Sequence, residues 1–251
     1  MNPLLTIITL TIPGRESQLS RLSEEISLQS VNTPTRHHVI RGSGGYGRKM
    51  RMSLSNVQSG YVCWVDDDDW IYPTYVEDIL NAIHQNQPDV VTFGSVTPGH
   101  VPAWLRFGKR DNEGTSPDGG NIRSANHYCA WRFDLAKSMP WLPQNYAAES
   151  VWYTGLRLAY PNLREHHIPK VLHEYRYTQS DTKCQNGRSI HLSMANGGNK
   201  ITILRAFGNQ LFVAKGSRQP VHGYYMAMSS SGEFIVIPTT ETQILQEIRL
   251  R

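Results

Sequence analysis

Four consecutive carboxylates, Asp66 to Asp69, follow directly on the run Gly60-Tyr61-Val62-Cys63-Trp64-Val65. Tyr61 to Val65 is aromatic and β-branched, the pattern of a buried strand, so the acids stand at a strand's C-terminal tip. Open α/β sheets bind ligands there. In an extended chain Asp66 and Asp68 share one face and Asp67 and Asp69 the other. Two carboxylates on one face offer hard oxygen ligands to Mg²⁺ or Mn²⁺. The bland alternative is an acidic surface turn or helix N-terminus, with Tyr72-Pro73 opening the next helix. Four adjacent carboxylates repel one another unless a cation or hydrogen bonds offset the cost, which favours a built site. An EF-hand loop is excluded, because the run lacks its glycine at the sixth position and its glutamate at the twelfth.

Elements on both sides must position these acids. Leu4 to Thr11 reads as a buried strand closed by the turn Ile12-Pro13-Gly14-Arg15, and Ser17 to Ser30 carries apolar residues at helical spacing. Thr35 to Arg41 is a second strand. It leads into the glycine-rich turn Gly42-Ser43-Gly44-Gly45-Tyr46-Gly47 and a helix from Arg48 to Gln58. Backbone amides of such a turn, with Lys49 and Arg51 behind them, are free to meet phosphate oxygens, although a plain flexible loop has the same composition. Tyr75 to Gln85 predicts an amphipathic helix and Asp89 to Gly94 a buried strand. This alternation predicts an α/β fold with a mainly parallel sheet covered by helices. Ser95 to Asn126 reads as a long irregular substrate loop. Further on, His127 to Met139 reads as a strand, Ala147 to Tyr160 as a helix and Ile168 to Tyr177 as another strand. After Asn186 periodicity is poor until the apolar run Glu233 to Pro238 and a helical pattern from Glu241 to Leu250.

Composition narrows the class. The chain has 251 residues, 39% hydrophobic and 18% charged, enough for one large α/β domain with an appendage. It contains no run of about eighteen apolar residues, and Met1 to Ile12 has no secretory pattern, so we expect a cytoplasmic protein without integral membrane contact. Cys63, Cys129 and Cys184 are far apart and form no Cys-x-x-Cys pair, which argues against disulfide and structural zinc frameworks.

In order, these features resemble the family 2 (GT-A) glycosyltransferases. The opening strand and turn TLTIPGR is similar to the family's first strand ending in an Arg, here Arg15. GYGRKMRMSLSNVQSGYVCW resembles its basic segment before the central strand. VDDDDWIYP resembles its Leu-Asp-x-Asp-Asp-x-x-x-Pro metal motif, AAESVWYTGLRL its acceptor-side Glu-Asp helix, and VLHEYRYTQSDT its closing strand. The resemblance spans residues 4 to 182. It implies a GT-A-like sheet with a nucleotide-sugar-binding half at 1–95, an acceptor-binding half of the same domain at 96–182, and a basic C-terminal extension at 183–251. It further implies a metal held by Asp66 and Asp68, with His173 at the place of a late histidine ligand. The donor, most simply a UDP-sugar, would be bound by Thr11, Arg15, Lys49, Arg51, Asp66 and Asp67. This chain departs from the pattern at Arg41, where the family's second strand usually ends in acids. It departs again at Ser150, which leaves Glu149 as the candidate base.

The chemistry that such residues could perform is sugar transfer. A cation would neutralise the departing diphosphate, Lys49 and Arg51 would add positive charge, and a carboxylate raised in pKa by partial burial would accept the acceptor's proton, a role for Glu149. A single displacement would invert the anomeric carbon. Trp70, Trp104, Trp131 and Trp152 could stack on sugar or base, or simply fill the core. From Thr182 to Gly232 there is no Asp or Glu, yet Lys183, Arg188, Lys200, Arg205, Lys215 and Arg218 occur, beside Tyr224 and Tyr225. That block is either a solvated tail or a surface for a polyanion, which leaves the acceptor open between a saccharide or surface polymer and a hydroxylated base in DNA. Two other classes stay open: a sugar nucleotidyltransferase, for which TLTIPGRESQ lacks the expected Gly-rich basic signature, and a non-catalytic carbohydrate or nucleic-acid binding module.

Overall fold

The computed structural model describes residues 3–42, 46–109, 114–116, 119–139, 141 and 148–176, and beyond them the backbone of strands between 192 and 236. The first strand, β1 (Leu5–Thr11), is buried along its whole length although Thr alternates with Leu and Ile. Both of its faces are covered, so a continuous rather than an alternating pattern is what burial demands. Helix α1 (Glu16–Gln29) buries Leu19, Leu22 and Ile26, one stripe at helical spacing. Full burial of a Leu or Ile side chain is worth roughly 1.5–3 kcal/mol, so that stripe is what docks the helix. Strand β2 (Thr35–Arg41) pairs with β1 in parallel, Thr11 standing opposite Arg41. Helix α2 (Tyr46–Ser53) then runs into a 3₁₀ turn over Leu54–Asn56, and Val57 is already extended. It therefore stops short of Gln58.

Strand β3 (Tyr61–Trp64) lies on the other side of β1, also parallel. Its entry needs Gly60: the φ of 83° is left-handed, and a Cβ there would come within 2.5 Å of the Leu4 carbonyl oxygen. After the acids come β4 (Trp70–Ile71), α3 (Tyr75–Asn86) and β5 (Val90–Val96). One edge of β5 meets β8 (Ala130–Arg132) and β6 (Ala103–Arg106), and its other edge runs parallel to β9 (Glu165–Glu174). Strand β8 closes the gap to β3, antiparallel to both β3 and β5. β7 (Asn121–Ser124) extends β6, and β4 pairs with the end of β9, Ile71 opposite His173. The result is a mixed, mainly parallel sheet flanked by helices, continuous across the acids.

Three stretches differ from the sequence reading. Ser95 to Asn126 is not wholly irregular, since β6 and β7 form within it. Each is only four residues long and β7 is mostly polar, so pairing of β6 with β5 and of β7 with β6 is what stabilises them. His127 to Met139 splits into the short strand β8 and helix α4 (Phe133–Ser138). The poorly periodic C-terminal region contains β10 (Leu192–Asn196), β11 (Asn199–Phe207) and β12 (Gln210–Lys215) as one antiparallel sheet, and β13 (Met226–Met228) paired with β14 (Phe234–Val236). The helical pattern at Glu241 to Leu250 and Cys184 lie outside the described residues. Among the described residues no helix is long and apolar enough to cross a membrane.

Candidate functional site

The acids are placed by backbone bonds before any side chain is considered. Val65 N–H donates to the Ile8 carbonyl at 3.0 Å and Trp64 N–H to the His127 carbonyl at 3.0 Å, so the tip of β3 is held between β1 and the approach to β8. The chain then turns rather than running on extended, and Asp69 N–H returns to the Asp66 carbonyl at 3.1 Å. The turn nevertheless divides the acids by burial. Asp67 and Asp69 are buried, whereas the side chains of Asp66 and Asp68 keep 29% and 23% of their surface.

Each buried acid has its own partners. Arg15 Nη1 donates to Asp67 Oδ1 at 2.7 Å and to Asp68 Oδ2 at 3.0 Å, bridging an inner and an outer carboxylate. Asp69 Oδ1 accepts the Arg176 N–H at 2.8 Å, and its Oδ2 faces His173 Nε2 at 3.0 Å. His173 is fully buried and its other nitrogen lies 2.8 Å from Ser95 Oγ. Both ring nitrogens therefore serve a structural relay, and neither points to the outer carboxylates. Arg21 caps the turn, its Nη2 donating to the Asp69 carbonyl at 2.8 Å. Lys49 is buried on α2 with Nζ 3.4 Å from the carbonyls of Thr11 and Gly42. Burial lowers its pKa, and Asp67 and Asp66 oppose that shift. Arg51, two residues along the same helix, is exposed, because residues two apart face opposite sides. Thr11 is buried at the end of β1.

The outer carboxylates have little positive charge close by, Asp68 sharing Arg15 with Asp67 and Asp66 having His127 at 3.9 Å. Burial pushes Asp66 up to about 7 against the pull of His127, with Asp69, Asp68 and Glu149 adding to the rise. Asp68 is also raised, by burial, although Arg15 opposes it. Among the described residues no group of three or more His, Cys, Asp or Glu is arranged to hold a metal ion alone. Two hard carboxylates with open coordination positions fit Mg²⁺ or Mn²⁺, which characteristically completes its shell with substrate phosphates and water. Beside them Asp67 Oδ2 is buried without a hydrogen-bond partner, its carboxylate being paired with Arg15 through Oδ1 alone.

Residues 21–134 match the sequence profile described as Glycosyl transferase family 2. Over that segment, less than half of the 251 residues, the chain is similar to the family 2 glycosyltransferases. No curated protein sequence matches the chain. Over 74% of its length the chain superimposes on residues 1–349 of S. aureus TarS solved with UDP-GlcNAc, with a TM-score of 0.53 and 18% identity, covering 62% of that chain. The same fragment with UDP gives a TM-score of 0.50 and 16% identity over 70% of this chain and 61% of that one. Glucosyl-3-phosphoglycerate synthase from Mycobacterium tuberculosis, solved with Mn²⁺, UDP and glucosyl-3-phosphoglycerate, gives 0.45 and 12% over 76% and 85%. The chain thus spans less than two thirds of the TarS fragment, and the TarS likeness is one of fold, GT-A.

The sequence reading overlooked His127. It is buried, with Nδ1 2.8 Å from Glu149 Oε1 and Nε2 3.9 Å from Asp66 Oδ2. Glu149, second residue of α5 (Ala148–Ala159), is thereby brought to the acidic turn. Burial alone would raise the Glu149 carboxyl, but His127 outweighs it and lowers the pKa, so the raised carboxylates are Asp66 and Asp68 instead. A lone histidine before a short strand carries no signal along the chain, and only the β3–β8 pairing shows its place. The tryptophans divide as well. Trp131 and Trp152 are fully buried and pack edge-on 5.2 Å apart, and Trp104 is buried. Trp70 is exposed, but the guanidiniums of Arg176 and Arg21 lie over its ring at 3.6 and 4.5 Å. Its stacking surface is occupied.

Proposed function

We propose that this protein is a metal-assisted, inverting glycosyltransferase that moves a sugar from a nucleotide diphosphate sugar to an acceptor hydroxyl. The observation that carries this reading is the pairing of two outward carboxylates, Asp66 and Asp68, at the tip of β3, with Lys49 and Arg15 behind them and Glu149 across His127. Asp66 and Asp68 would hold Mg²⁺ or Mn²⁺, whose chemistry is to neutralise the charge gathering on the departing diphosphate. Lys49 supplies a further cation on the β1 side, and Thr11 and Asp67 line the same end of the sheet. Glu149, partly exposed, accepts the proton of the acceptor hydroxyl as its oxygen bonds to the anomeric carbon. The bond from that carbon to the diphosphate oxygen breaks on the opposite side, so configuration inverts.

A UDP-sugar is the donor class we favour, since TarS of the same fold holds UDP-GlcNAc. For the acceptor we favour a saccharide hydroxyl. The alternative, a hydroxylated base in DNA, rests on Lys183 to Arg218, whose side chains lie outside the described residues. The test is release of nucleotide from a panel of nucleotide sugars, with and without Mn²⁺ or Mg²⁺, across saccharide acceptors and duplex DNA. Metal-dependent release stimulated by a saccharide is the expected result. Release of pyrophosphate from sugar phosphate and nucleoside triphosphate would instead identify a nucleotidyltransferase. No release with any donor would leave a binding module.

A further inference from the structure

We propose that His127 is a positioning residue for this reaction, its imidazole holding the Glu149 carboxylate in place beside the acidic turn. The inference rests on the glycosyl-transfer reading above and assigns a role that the acids alone do not.

His127 retains only 3% of its surface. Its ring is clamped: Tyr128 lies 4.1 Å away between the centroids, tilted by 51°, and Tyr46 stands edge-on at 6.2 Å. Its backbone is equally constrained, since its carbonyl accepts the Trp64 N–H and the following Tyr128 N–H is taken by Asn126 Oδ1 at 3.0 Å. In such a slot an apolar ring would pack without the cost of burying two polar nitrogens. Neither nitrogen has an aligned hydrogen bond, although Nδ1 is within 2.8 Å of Glu149 Oε1 and Nε2 faces Asp66 Oδ2 at 3.9 Å. Both carboxylates are partly exposed, Glu149 at 31% and Asp66 at 29%. A buried polar ring between two outward acids is a brace for groups that work outside the core.

His173 supplies the contrast within the same sheet. It too packs on Tyr128, stacked and also at 4.1 Å, but both its nitrogens are engaged, by Ser95 and Asp69, and it serves the fold. His127 differs in having its partners at the surface and its hydrogen bonds incompletely aligned. Catalytic hydrogen bonds are often loose before substrate arrives and tighten in the working complex.

The two ring nitrogens can be tested separately in the full chain. His127→Asn keeps a donor near the position of Nδ1, toward Glu149. His127→Gln keeps one near Nε2, toward Asp66, and His127→Phe keeps neither. The probe is UDP-GlcNAc with Mn²⁺, water serving as acceptor: water oxygen bonds to the anomeric carbon, UDP leaves with the bonding pair, and the water proton passes to Glu149. If the panel identifies another donor, that donor replaces it. His127→Gln and His127→Phe should lower kcat by about 10- to 100-fold, the usual cost of losing a supporting partner, with KM for the donor changed by less than about threefold. His127→Asn should recover most of that loss. In a Glu149→Gln background His127→Phe should cost less than about twofold further, because the group it positions is already disabled. UDP binding by calorimetry identifies variants whose donor site is folded. If His127→Phe fails that control, the Asn and Gln pair decides. Equal kcat for the Asn and Gln variants, an effect confined to KM, or a full additional loss in the Glu149→Gln background would overturn the inference while leaving glycosyl transfer intact. A wild-type protein inactive on the whole panel would overturn both.

Discussion

The two inner and two outer carboxylates of one turn follow different rules. Asp67 and Asp69 are buried and held by Arg15, His173 and the Arg176 amide. Asp66 and Asp68 are half-buried, and both are raised in pKa because their burial is incompletely compensated. The inner pair is held by several groups of the chain, whereas Asp68 shares Arg15 with Asp67 and Asp66 has only His127, 3.9 Å away, nearby; on the proposed function the outer pair is completed by a cation. Fully and partly buried acids therefore alternate in sequence. What separates them is how completely each is buried and paired within the chain.

That division can be broken most severely on its outer side. Asp66→Ala, Asp68→Ala and Glu149→Gln should each reduce nucleotide release by about two to four orders of magnitude, with melting temperatures close to wild type. Undiminished metal-dependent turnover by Asp68→Ala would contradict the assignment of the outer pair. On the inner side the effect should reverse in kind. Asp69→Ala leaves His173 Nε2 and the Arg176 N–H without their acceptor, and should cost about 3 kcal/mol in urea unfolding. A variant as stable as wild type would show that the inner relay is not structural.

Two smaller effects sharpen the comparison by testing the frame around the turn. His37 on β2 contacts Thr9 Oγ1 at 3.0 Å, and burial, with neighbouring His38, lowers its pKa to about 4. The folded state resists its protonation while the unfolded chain, near 6.5, accepts it. Its contribution to stability is therefore present above pH 6.5 and is lost as pH falls toward 4. His37→Asn should flatten the acid limb of the stability curve by on the order of 2 kcal/mol, and an unchanged limb would show that other groups set it. Arg21→Ala removes one guanidinium from Trp70 and the donor to the Asp69 carbonyl, and should cost about 1 kcal/mol. The intrinsic fluorescence of Trp70 should shift in the same variant.

How much was legible beforehand depended on the range of the interaction. The N-terminal strand and helix pattern was readable because Leu5 to Thr11 and the stripe Leu19, Leu22 and Ile26 encode their burial locally. Strands β6 and β7 were not, since Ala103 to Arg106 and Asn121 to Ser124 owe their form to partners rather than to their own composition. The same holds at the site. Four acids behind a buried strand mark a tip where charge must be managed. The expected split of Asp66 and Asp68 from Asp67 and Asp69 is found, but a turn closed by Asp69 N–H on the Asp66 carbonyl produces it rather than strand alternation.

By itself, then, the sequence determined the β3 tip, the carboxylate oxygens available there and the basic stretch at Arg48 to Arg51 that borders it. Tertiary structure decided which charges meet. The helical turn buries Lys49 and exposes Arg51, the pairing of β4 with β9 brings His173 to Asp69, and the approach to β8 sets His127 between Asp66 and Glu149. Those contacts join residues tens of positions apart, and side-chain type and spacing along a chain carry no record of such distances until the sheet is assembled.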